Sequence, residues 1–573
     1  IMDYNENNLA YFQKEIAYLD ETRALFIKNF PKVAPFLDTK SKDPDVESII
    51  ENMAILTSRI RQELDENIPL IAESLVNILM PSYTNPFPSV CMQEFTLRDD
   101  FSGTKEFIPK GSIVESKQIN GITCKFQTIF DINLLPLKIA KAFMSNNKSD
   151  YLLNLNISVT KDELSTKELD IDFLNLYLGD NVYFSSTLLM WLKNYLKFIT
   201  ISFEDSDQEI KLSPDKLSLD EFDERLIKSD EFGFEAFELL KELSFFPSKL
   251  NFMRLNGLSF LKNFSAKSFN IKFIFSKDMP SGYVPRLEYF SLFATPAINL
   301  FAMSAEPILN NNRRSEYRIF LDRSNIDAYE IVSINKVVAH GSNNEKRILK
   351  NYKSFERFEF LNDERAKDYY FVSNKTDIKL NSYKEISFFK SDSKDQTISI
   401  DALCCNGDLP CKLRLGEIDR VLSHQGVTTK NLTIPTSVKR VKIDGNLLWK
   451  LVSILSFSYQ SILEKGSFLA LLNTFSTPDD EFFKKFANSL YDIKTKQIYR
   501  VDQGFAKRGL LCIFYIDESE FESIGNVYVL GINLAKFLSK FASINSFCEL
   551  KIKCIKSKIL LNYDFLGGTK KLI

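Results

Sequence analysis

The chain of 573 residues carries 73 Lys and Arg against 75 Asp and Glu, a formal net charge of -2, with 45% hydrophobic and 26% charged residues. That balance excludes a disordered or collagen-like chain and lacks the broad positive field that nucleic acid selects. The length exceeds what a single core fills, so several domains are expected.

The opening stretch Asp3-Tyr4-Asn5-Glu6-Asn7-Asn8 is polar and acidic, without the basic and apolar regions of a secretion signal. Leu9, Phe12, Ile16, Leu19, Phe26 and Phe30 then recur at alternating three-and-four spacing, which predicts an amphipathic helix over residues 5–30, interrupted on its seam by Arg23 and ended by Pro31. Such a stripe either packs within its own domain or joins an intersubunit bundle. A second helix opens at Asp43-Pro44-Asp45-Val46-Glu47, where Asp43 is an N-cap, Pro44 fits the first turn and two carboxylates complement the positive helix end. Its apolar stripe is Val46, Ile49, Met53, Leu56, Ile60 and Leu64. Pro69 starts a third segment with Ile71, Leu75, Ile78 and Leu79 inward, and Pro81 closes it.

The turn-rich run from Pro81 to Pro88 leads into alternating patterns over 91–97 and 121–128 that predict strands. Helices are expected at 186–196 and 234–243, strands at 198–203 and 269–275, and loops at the polar stretches 145–150, 204–209, 341–345 and 391–397. The uncharged run 289–305 falls short of the roughly 18–20 residues a bilayer span needs and is interrupted by Pro296 and Asn299, so it predicts buried strands. The last region shows a strand at 398–403, a helix at 448–464, a strand at 510–515, a helix at 531–542 and a final strand at 549–560. The expected architecture is multidomain α+β: an N-terminal helical region 1–88, a β-rich α+β domain 89–260, a second β-rich domain 261–397 and a C-terminal α+β domain 398–573.

Reactive centres are scarce. The two histidines, His340 and His424, each lie beside loop-type residues and are expected on surface loops. Cys404, Cys405 and Cys411 lack the paired spacing of zinc sites, and Cys91, Cys124, Cys512, Cys548 and Cys554 complete a set expected to be reduced and mostly buried. No phosphate-binding loop, dinucleotide fingerprint or metalloprotease helix is present. Gly567-Gly568-Thr569-Lys570-Lys571 is expected to be a mobile tail, and the alternating lysines of 551–558 to lie on the wet face of a strand at a sheet edge. No catalytic residue, cofactor or metal is predicted.

The motif inventory resembles the TssF family, also called VasA or ImpG. The resemblance begins at 11–19 and 30–37 and is strongest at Asp43, Pro44, Val46 and Glu47 with the run 54–60 that includes Arg59. It continues through Pro81, Pro88, Phe126 and Thr128, then Phe245-Phe246-Pro247-Ser248-Lys249 and Pro296, Asn299, Leu300 and Phe301. Asn406, Leu409 and Pro410 follow, then Gly504, Phe505 and Gly509, and last Asn545, Ser546 and Phe547. The shared order spans nearly the whole chain. Two departures stand out: Gly407 where the family often has Arg, and a tail that ends without the family's Trp-Pro-type signature.

The resemblance implies a structural wedge subunit of the type VI secretion baseplate, similar to phage tail components, that works by binding and conformational switching. The implied partners are TssG, with two TssF copies to one TssG, then TssK, TssE and the VgrG hub, with no nucleic acid and no direct membrane insertion. The implied location is the cytoplasm, docked at the inner-membrane complex. The competing readings are a cytoplasmic enzyme of unknown reaction and a generic scaffold unrelated to secretion.

Overall fold

A computed structural model of the chain describes residues 85–440 and 462–568, apart from internal stretches of which 353–368 is the longest, together with a small number of residues between 12 and 58. The chain divides into two compact units, Ile1–Leu79 with Lys442–Ser456, and Met80–Val441 with Phe457–Ile573.

In the first unit nearly all the described residues are helical. Phe12, Ile16 and Leu19 are half-buried while Gln13, Ala17 and Tyr18 face solvent, the one-sided burial of an amphipathic helix. Over residues 48–58 the apolar stripe faces the other way: Ile49, Met53 and Leu56 are 61%, 51% and 60% exposed, whereas Ala54 and Ser58 are buried. The small side chains mark the packed face, and the long apolar ones extend into solvent. Leu9, Phe26, Asp43, Pro44, Val46, Glu47, Arg59 and Pro81 lie outside the described residues, as does the third predicted helical segment.

The second unit is built on sheets. Its six-stranded antiparallel sheet runs Ile418–Val421, Ile113–Ile119, Ile122–Thr128, Ala294–Ile298, Val90–Leu97, Val427–Asn431. Val90, Cys91, Met92 and Gln93 are all fully buried, so this strand is covered on both faces. The sheet draws strands from residues 89–260, 261–397 and 398–573; Gln93, for example, stands opposite Asn431. A five-stranded sheet orders Ser206–Leu212, Leu196–Phe203, Ser268–Phe275, Asp150–Val159 and Leu137–Asn147, with Leu153, Leu155, Ile157, Ile199, Ile201, Ile271 and Phe273 buried on one face and Asn154, Asn156 and Thr200 buried between them. An eight-stranded sheet includes Gln396–Cys405, which pairs with three other strands and whose alternating burial matches the half-buried strand its sequence predicts.

The described helices are α1 Val182–Asn194, α2 Glu235–Phe245, α3 Lys465–Phe475, α4 Glu481–Ser489 and α5 Ile524–Phe541. Asn181 and Ser523 cap α1 and α5 by accepting from the backbone N–H groups of Phe184 and Asn526. Gly525 of α5 lies against the backbone of α1, and a Cβ there would stand 2.6 Å from the Ser186 carbonyl carbon and the Thr187 nitrogen. A core of Phe130, Phe222, Phe252 and Tyr177, with ring centroids 4.9 to 5.5 Å apart, fills the middle of the unit. Phe468 gathers Phe486, Phe514 and Phe537 in a second aromatic core under the C-terminal sheet.

α1, α2 and α5 occupy the expected helical regions with shifted ends, while α3, α4 and the long strand Leu490–Asp502 have no counterpart in the sequence reading. The helix expected over 448–464 lies almost wholly outside the described residues. Ser546–Cys554 is not an edge strand. It pairs in parallel with Phe505–Ile516 on one side and with two short strands on the other, because the chain crosses over through α5 and then doubles back. One of those short strands is Leu566–Gly567, so Gly567, expected in a mobile tail, is paired opposite Phe547.

Candidate functional site

Two of the motifs, those holding Asn299 and Asn406, meet at one buried junction. Ala294–Ile298 ends at Asn299, which the chain carries fully out of water together with Asn406, just past the strand Gln396–Cys405. The Asn406 backbone N–H donates to Asn299 Oδ1 at 2.6 Å, and the Asn299 amide donates back to Asn406 Oδ1 at 2.9 Å and to the Lys125 carbonyl at 2.7 Å. The Asn406 amide donates to the Ala328 carbonyl at 3.3 Å, and the Asn299 N–H to the Ser89 carbonyl at 2.8 Å. Five separate chain segments are thus tied at one point around two fully buried asparagines, where an unmade hydrogen bond is expensive. Phe126, Thr128, Pro296, Leu300, Phe301 and Pro88 are buried around it, and Thr128 accepts from the Ser112 N–H at 3.1 Å.

The remaining motif residues are also structural. Phe245 packs edge-on to Phe87 at 5.0 Å, Ser248 donates to Asp180, and Lys249 pairs at 2.9 Å with Glu242, which also takes Arg225 at 3.0 Å. Pro410 is buried and Leu409 half-buried in a short turn of helix after Asn406. Gly407, one of the two departures, has φ +53, a conformation glycine enters without strain. The guanidinium of Arg440 lies beside it, bonded to both Glu330 oxygens and to Asp408. Gly509 stands opposite Phe547 in the C-terminal sheet with the Phe547 ring lying where its side chain would be. Ser546 is half-buried; Phe505 closes a hairpin; Gly504 and Asn545 lie outside the described residues.

Among the described residues the histidines are hydrogen-bonded and the cysteines mostly buried. His340, expected on a surface loop, is the last residue of the strand Glu330–His340, half-buried and bonded to Ser399 Oγ at 3.0 Å. His424, in a turn, meets Glu106 Oε1 at 2.8 Å. Seven cysteines are buried and Cys411 is exposed. Cys404 and Cys405 succeed one another on a strand, so their side chains point to opposite faces. Burial pushes the Cys124 thiol up to about 11 and raises Cys91 and Cys405 further, which keeps them from the thiolate form a nucleophile needs. Among the described residues no group of three or more His, Cys, Asp or Glu stands together as metal ligands would, and no helix is long and apolar enough to cross a membrane.

The surface feature that sequence reasoning missed is the outward apolar face at Ile49, Met53 and Leu56. Periodicity reveals a stripe but not which side is covered, and the only available signal was the small pair Ala54 and Ser58 at four-residue spacing.

A family model described as "Type VI secretion system, TssF" matches residues 4–562. The type VI secretion system component TssF1 of Pseudomonas aeruginosa is 25% identical over 629 aligned residues, spanning 99% of this chain and 99% of that protein. A chain of the type VI secretion TssK-TssF-TssG baseplate subcomplex superposes with a TM-score of 0.78 at 24% identity, covering 92% of this chain and 99% of that one. A chain of the type VI secretion baseplate complex superposes at 0.61 and 20% identity, covering 98% and 100%. Both likenesses concern the fold, which is the multidomain α+β architecture expected. With a family match that runs over nearly its entire length, the chain belongs to the TssF family of the type VI secretion system.

Proposed function

We propose that this chain is a structural subunit of a type VI secretion baseplate, acting by holding neighbouring subunits together and not by bond chemistry. The observation that carries the reading is the exposed apolar helix face at Ile49, Met53 and Leu56, a greasy surface that a self-sufficient monomer has no reason to keep in water. The half-buried Phe12, Ile16 and Leu19, with Leu9 and Phe26 on their sequence stripe, are a second candidate for that contact. Solved relatives assemble with TssK and TssG, and we extend that set to this chain: two copies to one TssG, with TssK, TssE and the VgrG hub as further neighbours, docked at the inner-membrane complex.

Co-expression with TssG followed by size-exclusion chromatography tests the reading. The wild-type chain is expected to elute as a mixed complex, and Met53→Asp and Phe12→Asp to remain folded by circular dichroism while losing TssG. A wild-type chain that stays apart from TssG, or toxin export undiminished by its deletion, overturns the assignment.

A further inference from the structure

The C-terminal sheet runs Leu490–Asp502, Phe505–Ile516, Ser546–Cys554 and Leu560–Asn562 in spatial order. Its inner face carries Cys512, Phe514, Leu550 and Ile552, all buried, with Phe514 against Phe468 of α3 at 5.3 Å. Alternation puts the residues between them on the opposite face. There the register sets Lys496, Leu511 and Glu549 in one row, Lys494, Ile513 and Lys551 in the next, and Asp492, Tyr515 and Lys553 in the third. Leu511, Ile513 and Tyr515 are only half-buried and Lys494, Lys496 and Lys553 are exposed, so solvent reaches this face.

The three rows carry Lys494, Lys496, Lys551 and Lys553 against Asp492 and Glu549, and the segment that builds the sheet is basic as a whole. Residues 490–573 hold thirteen Lys and Arg against eight Asp and Glu, a net of +5, although the whole chain is -2. On the face itself Glu549 is already taken by Arg500 at 2.7 Å and Lys551 at 3.5 Å. Lys494 and Lys553 hold their ammonium groups 5.3 and 5.7 Å from the Tyr515 ring centroid, which positions two cations beside an aromatic surface.

We infer that this open basic face docks an acidic segment of another protein, with carboxylates on Lys494, Lys496 and Lys553 and an apolar side chain over Leu511 and Ile513. An apolar centre with a charged rim is the anatomy of a protein interface. Nucleic acid fits less well, because Asp492 and Glu549 interrupt the field and the centre is aliphatic. A bilayer fits less well because the flat sheet face offers no projecting apolar anchor. The inference rests on the reading of the chain as an assembly subunit and names a second contact surface for it, apart in sequence from the helical one.

Two measurements on the full chain separate the claims. Fluorescence anisotropy with a labelled peptide of alternating Glu and Leu is compared with a labelled thymidine oligonucleotide and with phosphatidylglycerol vesicles. The wild-type chain is expected to prefer the peptide, with affinity falling as salt rises, and Lys494→Glu/Lys496→Glu/Lys553→Glu is expected to weaken it at least about tenfold. The neutral triple Gln variant should fall between them, and it replaces the Glu variant should that one fail to fold by circular dichroism. Absent peptide binding, peptide binding unchanged by the substitutions, or tighter lysine-dependent binding to the oligonucleotide or vesicles overturns the inference. Co-purification of the wild-type chain with TssG is scored separately, and its loss sinks the assembly reading itself.

Discussion

Asn299 and Asn406 are 107 residues apart in sequence and exchange reciprocal hydrogen bonds in a fully buried site, side-chain amide to side-chain oxygen in one direction and backbone N–H to side-chain oxygen in the other. The pair joins the end of Ala294–Ile298 in the six-stranded sheet to the end of Gln396–Cys405 in the eight-stranded one. Replacing Asn299 by Ala leaves the Asn406 N–H and the Lys125 carbonyl without that partner in a dry site, and is expected to lower stability by about 2–4 kcal/mol. Urea denaturation monitored by tryptophan fluorescence measures it; a loss below about 0.5 kcal/mol contradicts the role.

Helix α5 reaches α1 only because Gly525 has no side chain. A Cβ there meets backbone, which cannot rotate aside, so Gly525→Ala is expected to cost more than Gly509→Ala, where the added methyl meets the movable ring of Phe547. Thermal unfolding of the two variants should rank them in that order, with about 2–3 kcal/mol lost at Gly525.

Burial lowers the pKa of Lys241 to about 8 from an ordinary 10.5, outweighing the attraction of Glu238. Between those values the unfolded chain binds more protons than the folded one, so this group makes stability rise as pH climbs from about 8 to 10.5. Below that window its unfavourable contribution is constant. Lys241→Met is expected to flatten the rise, as read from urea midpoints collected across the window; an unchanged slope rejects the assignment.

Cys411 is the exposed thiol among eight. Native protein treated with a maleimide should take one label quickly at Cys411, and the remaining seven only on unfolding, as intact-mass spectrometry followed by peptide mapping would report. A second fast site would place another cysteine at the surface.

The alternation of Ile398, Ile400 and Ala402 made a half-buried strand legible, because a period of two puts one set of side chains on a single face. The motif residues Asn299, Asn406, Gly509 and Phe547 could be picked out along the chain, but nothing in their spacing says that the first two bond to each other or that the last two stack. Those pairings depend on which strands become neighbours, 107 residues apart in the first case and 38 in the second.

Composition and periodicity by themselves determined the class of this protein: a large α+β chain poor in histidine, with an amphipathic helical opening and sheets after it. Tertiary structure decided the direction of every surface. It turned Ile49, Met53 and Leu56 outward and placed Ser546–Cys554 inside its sheet instead of at an edge. It also gathered Lys494, Lys496 and Lys553 from two strands onto one face. The physical reason is that a sequence pattern records the contrast between two sides of an element, whereas the side left in water is chosen by whatever else packs against it.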